Sequence, residues 1–247
     1  MSNVLSIINA DERVGIDSNQ SDIAATFFKS LVGVAPFVGT FLAETISLVI
    51  PNQKLDRLVT FAKVLDDKVK YLEKDTVKLK MQTEEFTDLL EDGLIQASRA
   101  MTDERRSYLA SLLKNSITNE RLSHVENKKL LALLGELNDA EVLTLKYHSL
   151  SSLERREFAE LHKELFVPIR RSLGAPQANI DKWALRDSYR NKLRELGLVE
   201  PVFKRPERGK VPEFDEKTGQ IKATSFRATA FGKLLLRHID QHPTEND

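Results

Sequence analysis

The sequence predicts a mainly α-helical protein: an N-terminal helical bundle with one long heptad helix, then a C-terminal domain of helices with a single β-hairpin. Three observations lead there. Gly (10) and Pro (8) are sparse over 247 residues, too few turn formers for many short strands. Apolar residues recur at helical spacing along most of the chain, and period-two alternation is confined to two short stretches after residue 197. Helix-capping signatures, Ser or Asn followed three residues later by Glu, recur at 123, 138 and 151.

The elements follow in order. Residues 1–20 are expected to form a flexible N-terminus, with the polar run Asp17-Ser18-Asn19-Gln20. A helical region spans 21–137, and Ser21 or Asp22 caps its first helix. The segment 31–50 is apolar and carries one charge, Glu44. Gly33, Pro36 and Gly39 interrupt it. Pro36 suits the first turn of a new helix, so two short apolar helices meet near Gly33 to Pro36.

A heptad helix is expected over 52–82. Leu55, Leu58, Ala62, Leu65, Val69, Leu72, Thr76 and Leu79 alternate spacings of three and four, an a/d seam. The seam must be buried against another helix, either in the same chain or in a second copy. Leu55, Leu58, Leu65, Val69, Leu72 and Leu79 are therefore the candidate oligomerisation residues. Helices at 84–100, 103–117, 124–136, 139–148 and 151–166 follow, opened by Thr102, Ser123, Asn138 and Ser151.

The character changes after Pro168. A helix over 181–196 ends at Gly197. Strands at 198–203 and 221–227 flank a polar segment with Pro206, Gly209, Pro212 and Gly219. Thr229 caps a last helix through Ile239, and Gly232 would let that helix pack closely. Residues 242–247 are expected to be a disordered tail. Helix, helix, helix ending in Gly, hairpin, helix is the order of a winged helix, so 138–241 forms a winged-helix-like domain. Leu193 to Val199 resembles the recognition helix and wing start of many bacterial winged-helix proteins. Thr229 to Leu235 resembles their closing helix.

Composition narrows the chemistry. No cysteine is present, which excludes disulfides, thiolate metal sites and cysteine nucleophiles. Residues 1–11 lack the basic start of a secretory signal, so a cytoplasmic location is expected. The five histidines form no metal-ligand pair of the His-Glu-x-x-His type. Gly33 and Gly39 lack phosphate-loop spacing, with Thr40 following where Lys is needed. No cofactor and no enzymatic activity are implied.

Two surfaces remain as candidates. The chain balances 37 basic against 37 acidic residues, but 170–237 holds 16 basic and 8 acidic. Lys182, Arg186, Arg190 and Arg194 recur four apart on one helix face. That helix could enter a DNA groove while Lys204, Arg205, Arg208 and Lys210 of the wing meet phosphates. The other candidate is 31–50, long enough for a bilayer. Glu44 and Pro36 oppose a resting transmembrane helix. Phe37, Phe41, Ile46 and Val49 are thus expected to pack on the heptad helix, with Glu44 at the edge, and to reach lipid only on activation.

Three stretches carry a family resemblance. Met101-Thr102-Asp103-Glu104-Arg105-Arg106 is followed by Leu109-Ala110-Ser111-Leu112-Leu113. Leu130 to Leu137 runs into Asn138-Asp139-Ala140-Glu141, and Thr229 to Lys233 comes last. Together, over about residues 95–240, they resemble the bacterial proteins grouped as abortive-infection alpha. The resemblance implies a non-enzymatic role in defence against bacteriophage, through a homo-oligomer or a partner protein and an inducible membrane contact. The alternative is a dimeric winged-helix transcriptional regulator that binds DNA.

Overall fold

The computed structural model describes residues 29, 32–33, 35–40, 42, 55–119, 121–169, 174–206, 208, 211–215 and 219–242. Residues 1–20 and 243–247, Phe41, Glu44, Ile46, Val49, Lys210 and the Leu55 side chain lie outside that description. The chain divides into two compact units, Met1–Gly135 and Glu136–Asp247. Mainly helical structure with one two-stranded antiparallel sheet is found, as the sequence predicts.

The first unit is built around α1 (Leu55–Val69). Leu58, Phe61, Ala62, Leu65 and Val69 are all at most 1% exposed and form one stripe. That stripe packs on α3 (Glu84–Arg99) and α4 (Asp103–Thr118) of the same chain. The heptad helix expected over 52–82 is not continuous. It stops at Val69, the chain turns through residues 70–73, and α2 (Lys74–Met81) follows. Leu72 N–H closes the turn on the Val69 carbonyl at 2.9 Å. The physical reason lies in the second half of the seam, which contains Thr76. The turn exchanges that stripe for Val77 and Met81, both buried, and α2 then packs on α3 and α4. Thr76 and Leu79 are left exposed, Leu79 at 69%.

Helix α5 (His124–Glu136) closes the unit with Leu130, Leu131, Leu133 and Leu134 buried. Polar ties fix its position. Gln96 donates to the Leu131 carbonyl (3.0 Å) and Arg105 to that of Leu134 (2.8 Å). Lys128 bridges Asp88 (2.7 Å) and Asp92 (2.9 Å). Thr102 caps α4 by accepting from Arg105 N–H. Ser123 and Glu126 form the reciprocal capping box expected at the start of α5.

In the second unit α6 (Asp139–Ser149) is central. Asn138 and Glu141 form its capping box. It packs on α7 (Ser152–Leu161), α9 (Gln177–Glu195), β2 (Ala223–Ala228) and α10 (Ala230–His238). The helix expected over 151–166 breaks at His162 into α7 and α8 (Lys163–Phe166). Phe166 then stacks on Tyr147 at 4.5 Å between ring centres. Gly197, at φ 71°, ends α9. Leu198 N–H bonds the Leu193 carbonyl and Gly197 N–H that of Arg194, a left-handed cap sealed by the fully buried pair Leu193 and Leu198.

Strand β1 (Val199–Phe203) pairs antiparallel with β2, from Val199 opposite Ala228 to Phe203 opposite Ala223. Thr229 caps α10 through Gly232 N–H at 3.0 Å. Gly232 lies against the strand start: a Cβ there would sit 2.3 Å from the Leu198 carbonyl oxygen. The close approach read from the sequence is therefore present.

Candidate functional site

The first candidate lies where the apolar segment meets α1. Gly39 N–H bonds the Ala35 carbonyl at 2.6 Å, so a helical turn opens with Pro36 in its first position. Ala35 has no side chain able to cap it. The orphan N–H groups of Phe37 and Val38 instead donate to Asp66 Oδ1 of α1, at 2.8 and 3.0 Å. Asp66 is 7% exposed, and Ala35, Val38 and Leu42 are fully buried. Phe37 is half-buried. A carboxylate in the middle of an apolar helix face thus pins the head of the apolar segment. Its charge strengthens both bonds and complements the positive end of the helical turn.

Asp66 was not among the candidates drawn from the sequence, where it reads as one of the charges flanking the seam. A signal was present: Pro36 starts a helix whose preceding residue cannot cap, so its donors need a distant acceptor. Among the proposed oligomerisation residues, Leu58, Leu65 and Val69 are buried inside their own unit. Leu72 is half-buried and Leu79 exposed. Of the residues proposed for membrane contact, Phe37 alone falls among the described residues, next to this pin.

The second candidate is the basic surface of the C-terminal unit. The structure splits it. Arg186 donates to the carbonyls of Val167 and of Glu164 (2.7 Å for the latter). Arg190 pairs with Asp187, and its guanidinium lies 4.8 Å from the centre of the Phe226 ring. Lys192 reaches the Glu136 carbonyl and lies 3.6 Å from Glu141. The middle of the supposed recognition face therefore fixes α9 to its own unit. Lys182, Arg194, Lys204, Arg205 and Arg208 are exposed.

His148 ties α6 to β2, its Nδ1 lying 3.2 Å from the Phe226 carbonyl. Burial, and then the nearby Arg155, push this imidazole down to about 4. It is neutral near pH 7 and donates from Nδ1 to that carbonyl. His124 pairs with Asp88 at 2.9 Å, and His162 packs on Phe158. Among the described residues no group of three or more His, Asp or Glu side chains could hold a metal ion. No helix among them is long and apolar enough to cross a membrane. No known protein family, curated protein or solved structure matches the chain.

Proposed function

We propose that this chain is a non-enzymatic defence protein of the abortive-infection type, whose N-terminal unit stores an apolar segment for release. The observation that carries the reading is the Asp66 pin. A buried carboxylate that caps a helix start from another element suits a contact that is either made or broken. Made, it holds Ala35, Val38 and Leu42 in the core. Broken, it leaves a buried charge and two unbonded amides, a state stable only if the segment departs. Release would expose Ala35, Val38 and Leu42, part of an apolar sequence suited to lipid or to a second copy. The C-terminal unit would receive the trigger.

The experiment is a phage challenge of bacteria carrying the wild type, Phe41→Asp, or a chain lacking residues 1–50. The expected outcome is loss of culture protection in both variants, with membrane depolarisation only in infected wild-type cells. Protection that persists without residues 1–50 would overturn the reading. The alternative, a dimeric regulator reading duplex DNA through α9, meets an obstacle in the inward bonds of Arg186 and Arg190. A free recognition face would need both released.

A further inference from the structure

The end of the C-terminal hairpin carries a surface that the storage reading does not use. Phe203 lies opposite Ala223, and past the intervening loop Phe214 lies opposite Ile221. Ladder partners share a face, and so do residues two apart on one strand. Phe203 and Ala223 therefore share a face at the end of the ladder, and Phe214 and Ile221 share one at the isolated bridge just beyond it. Phe203 is 48% exposed, Phe214 55% and Ile221 43%. A groove of about 450 Å³ opens next to them in the chain: it is lined by Lys204 and Glu213, the neighbours of Phe203 and Phe214, and not by the two rings themselves. Ile221 and Ala223 contribute to its lining, together with Pro206 and Pro212, and Lys204, Arg205 and Lys222 supply its cations. The acid in that lining is Glu213, 3.9 Å from Lys222. Farther down the ribbon Arg227 is neutralised by Glu200 at 2.7 Å. The lining thus holds three cations against one acid, and Asp215 adds a second carboxylate next to Phe214.

We propose that this end of the hairpin binds single-stranded nucleic acid, with phosphates in the groove on Lys204, Arg205 and Lys222 and bases stacked on the exposed rings of Phe203 and Phe214 outside it. Exposed rings interleaved with cations match unstacked bases on a charged backbone. A phenylalanine ring offers no hydrogen bond to a base edge, but it fits a base face, which a duplex hides. The inward-turned Arg186 and Arg190 leave α9 unsuited to the duplex groove. A bilayer would favour protruding apolar tips, whereas Ile221 and Ala223 line a concavity.

The test uses the full chain and fluorescence anisotropy at low salt. The probes are a labelled oligothymidine of about 20 nucleotides, longer than one such footprint, and a duplex of equal length. Vesicles of anionic phospholipid form a third arm. The expected result is a preference for the single strand, weakened at least about fivefold by Phe203→Ala and by Phe214→Ala. Log affinity should fall against log salt with a slope near −2, about 0.7 for each of three phosphates. Lys204→Glu with Arg205→Glu should remove more than half of that slope. Lys74→Glu with Lys78→Glu, exposed in the other unit, should change nothing. Both rings are about half exposed, so the Phe variants should melt like wild type. No binding, a duplex preference, unchanged affinity in both Phe variants, or binding to vesicles alone would each overturn the proposal.

Discussion

Replacing Asp66 with Ala removes the acceptor of two amides at the head of the apolar segment, Phe37 at 2.8 Å and Val38 at 3.0 Å. Hydrogen bonds to a charged acceptor are worth about 1.5–3 kcal/mol each, and here two share one oxygen. Against this, Ala relieves the desolvation of a carboxylate only 7% exposed, so the lower half of the range applies, about 3 kcal/mol in total. The loss should appear as local opening of 35–40 and Leu42, because the α1 stripe of Leu58, Leu65 and Val69 remains packed on α3 and α4. At about 1.4 kcal/mol per tenfold, amide exchange at Phe37 and Val38 should accelerate roughly 100-fold. Exchange at Leu109 to Leu113 in α4 should not change. Asp66→Asn keeps an acceptor without its charge and should cost about tenfold. Exchange at Phe37 and Val38 within twofold of wild type in Asp66→Ala would refute the pin.

Gly232→Ala should destabilise the C-terminal unit, since the new Cβ would sit 2.3 Å from the Leu198 oxygen and 3.0 Å from Leu145 Cδ1. Overpacking of about 1–3 kcal/mol outweighs up to ~1 kcal/mol gained in helix propensity. The unit's melting temperature should drop by several degrees, and an unchanged or raised value would contradict the close approach. His148 has a folded pKa depressed from 6.5 to about 4. Its contribution is therefore present above pH 6.5 and lost as pH falls towards 4, as much as about 3 kcal/mol in all. His148→Gln should flatten that part of the stability–pH curve; parallel curves would refute the assignment. Leu65→Asp should cost more than about 4 kcal/mol and unfold the first unit, whereas Leu79→Asp should stay within about 0.5. Equal losses would contradict the intramolecular seam, and light scattering on Leu79→Asp separates self-association from folding.

Helix starts were legible because each capping box is local. Asn138 and Glu141 lie three residues apart, and so do Ser123 and Glu126. Gly197 and Gly232 were legible because Gly favours a positive φ and has no Cβ, which at Gly232 would lie 2.3 Å from a carbonyl oxygen. The break after Val69 was not. No Gly or Pro marks residues 70–73, and only the competition between the Thr76 stripe and the Val77–Met81 stripe for one surface decides it. The same limit hid the fate of the basic face. Four-residue spacing places Lys182, Arg186, Arg190 and Arg194 together, but the Val167 carbonyl and the Phe226 ring that hold two of them arrive from distant segments. Asp66 is not legible for the complementary reason: it is a charge whose partners are backbone amides nearly thirty residues earlier. Phe214 pairs with Ile221 through a single bridge beyond the main ladder, too short a contact for periodicity to reveal.

The storage claim is tested most directly by flotation of the full chain with anionic phospholipid vesicles, wild type against Asp66→Ala. The pin predicts that the wild type stays in the aqueous fraction and that Asp66→Ala rises with the vesicles, while Asp66→Ala combined with Phe41→Asp does not. If the wild type already floats, or if Asp66→Ala stays aqueous although exchange at Phe37 and Val38 has accelerated, the segment is not a stored membrane-active element.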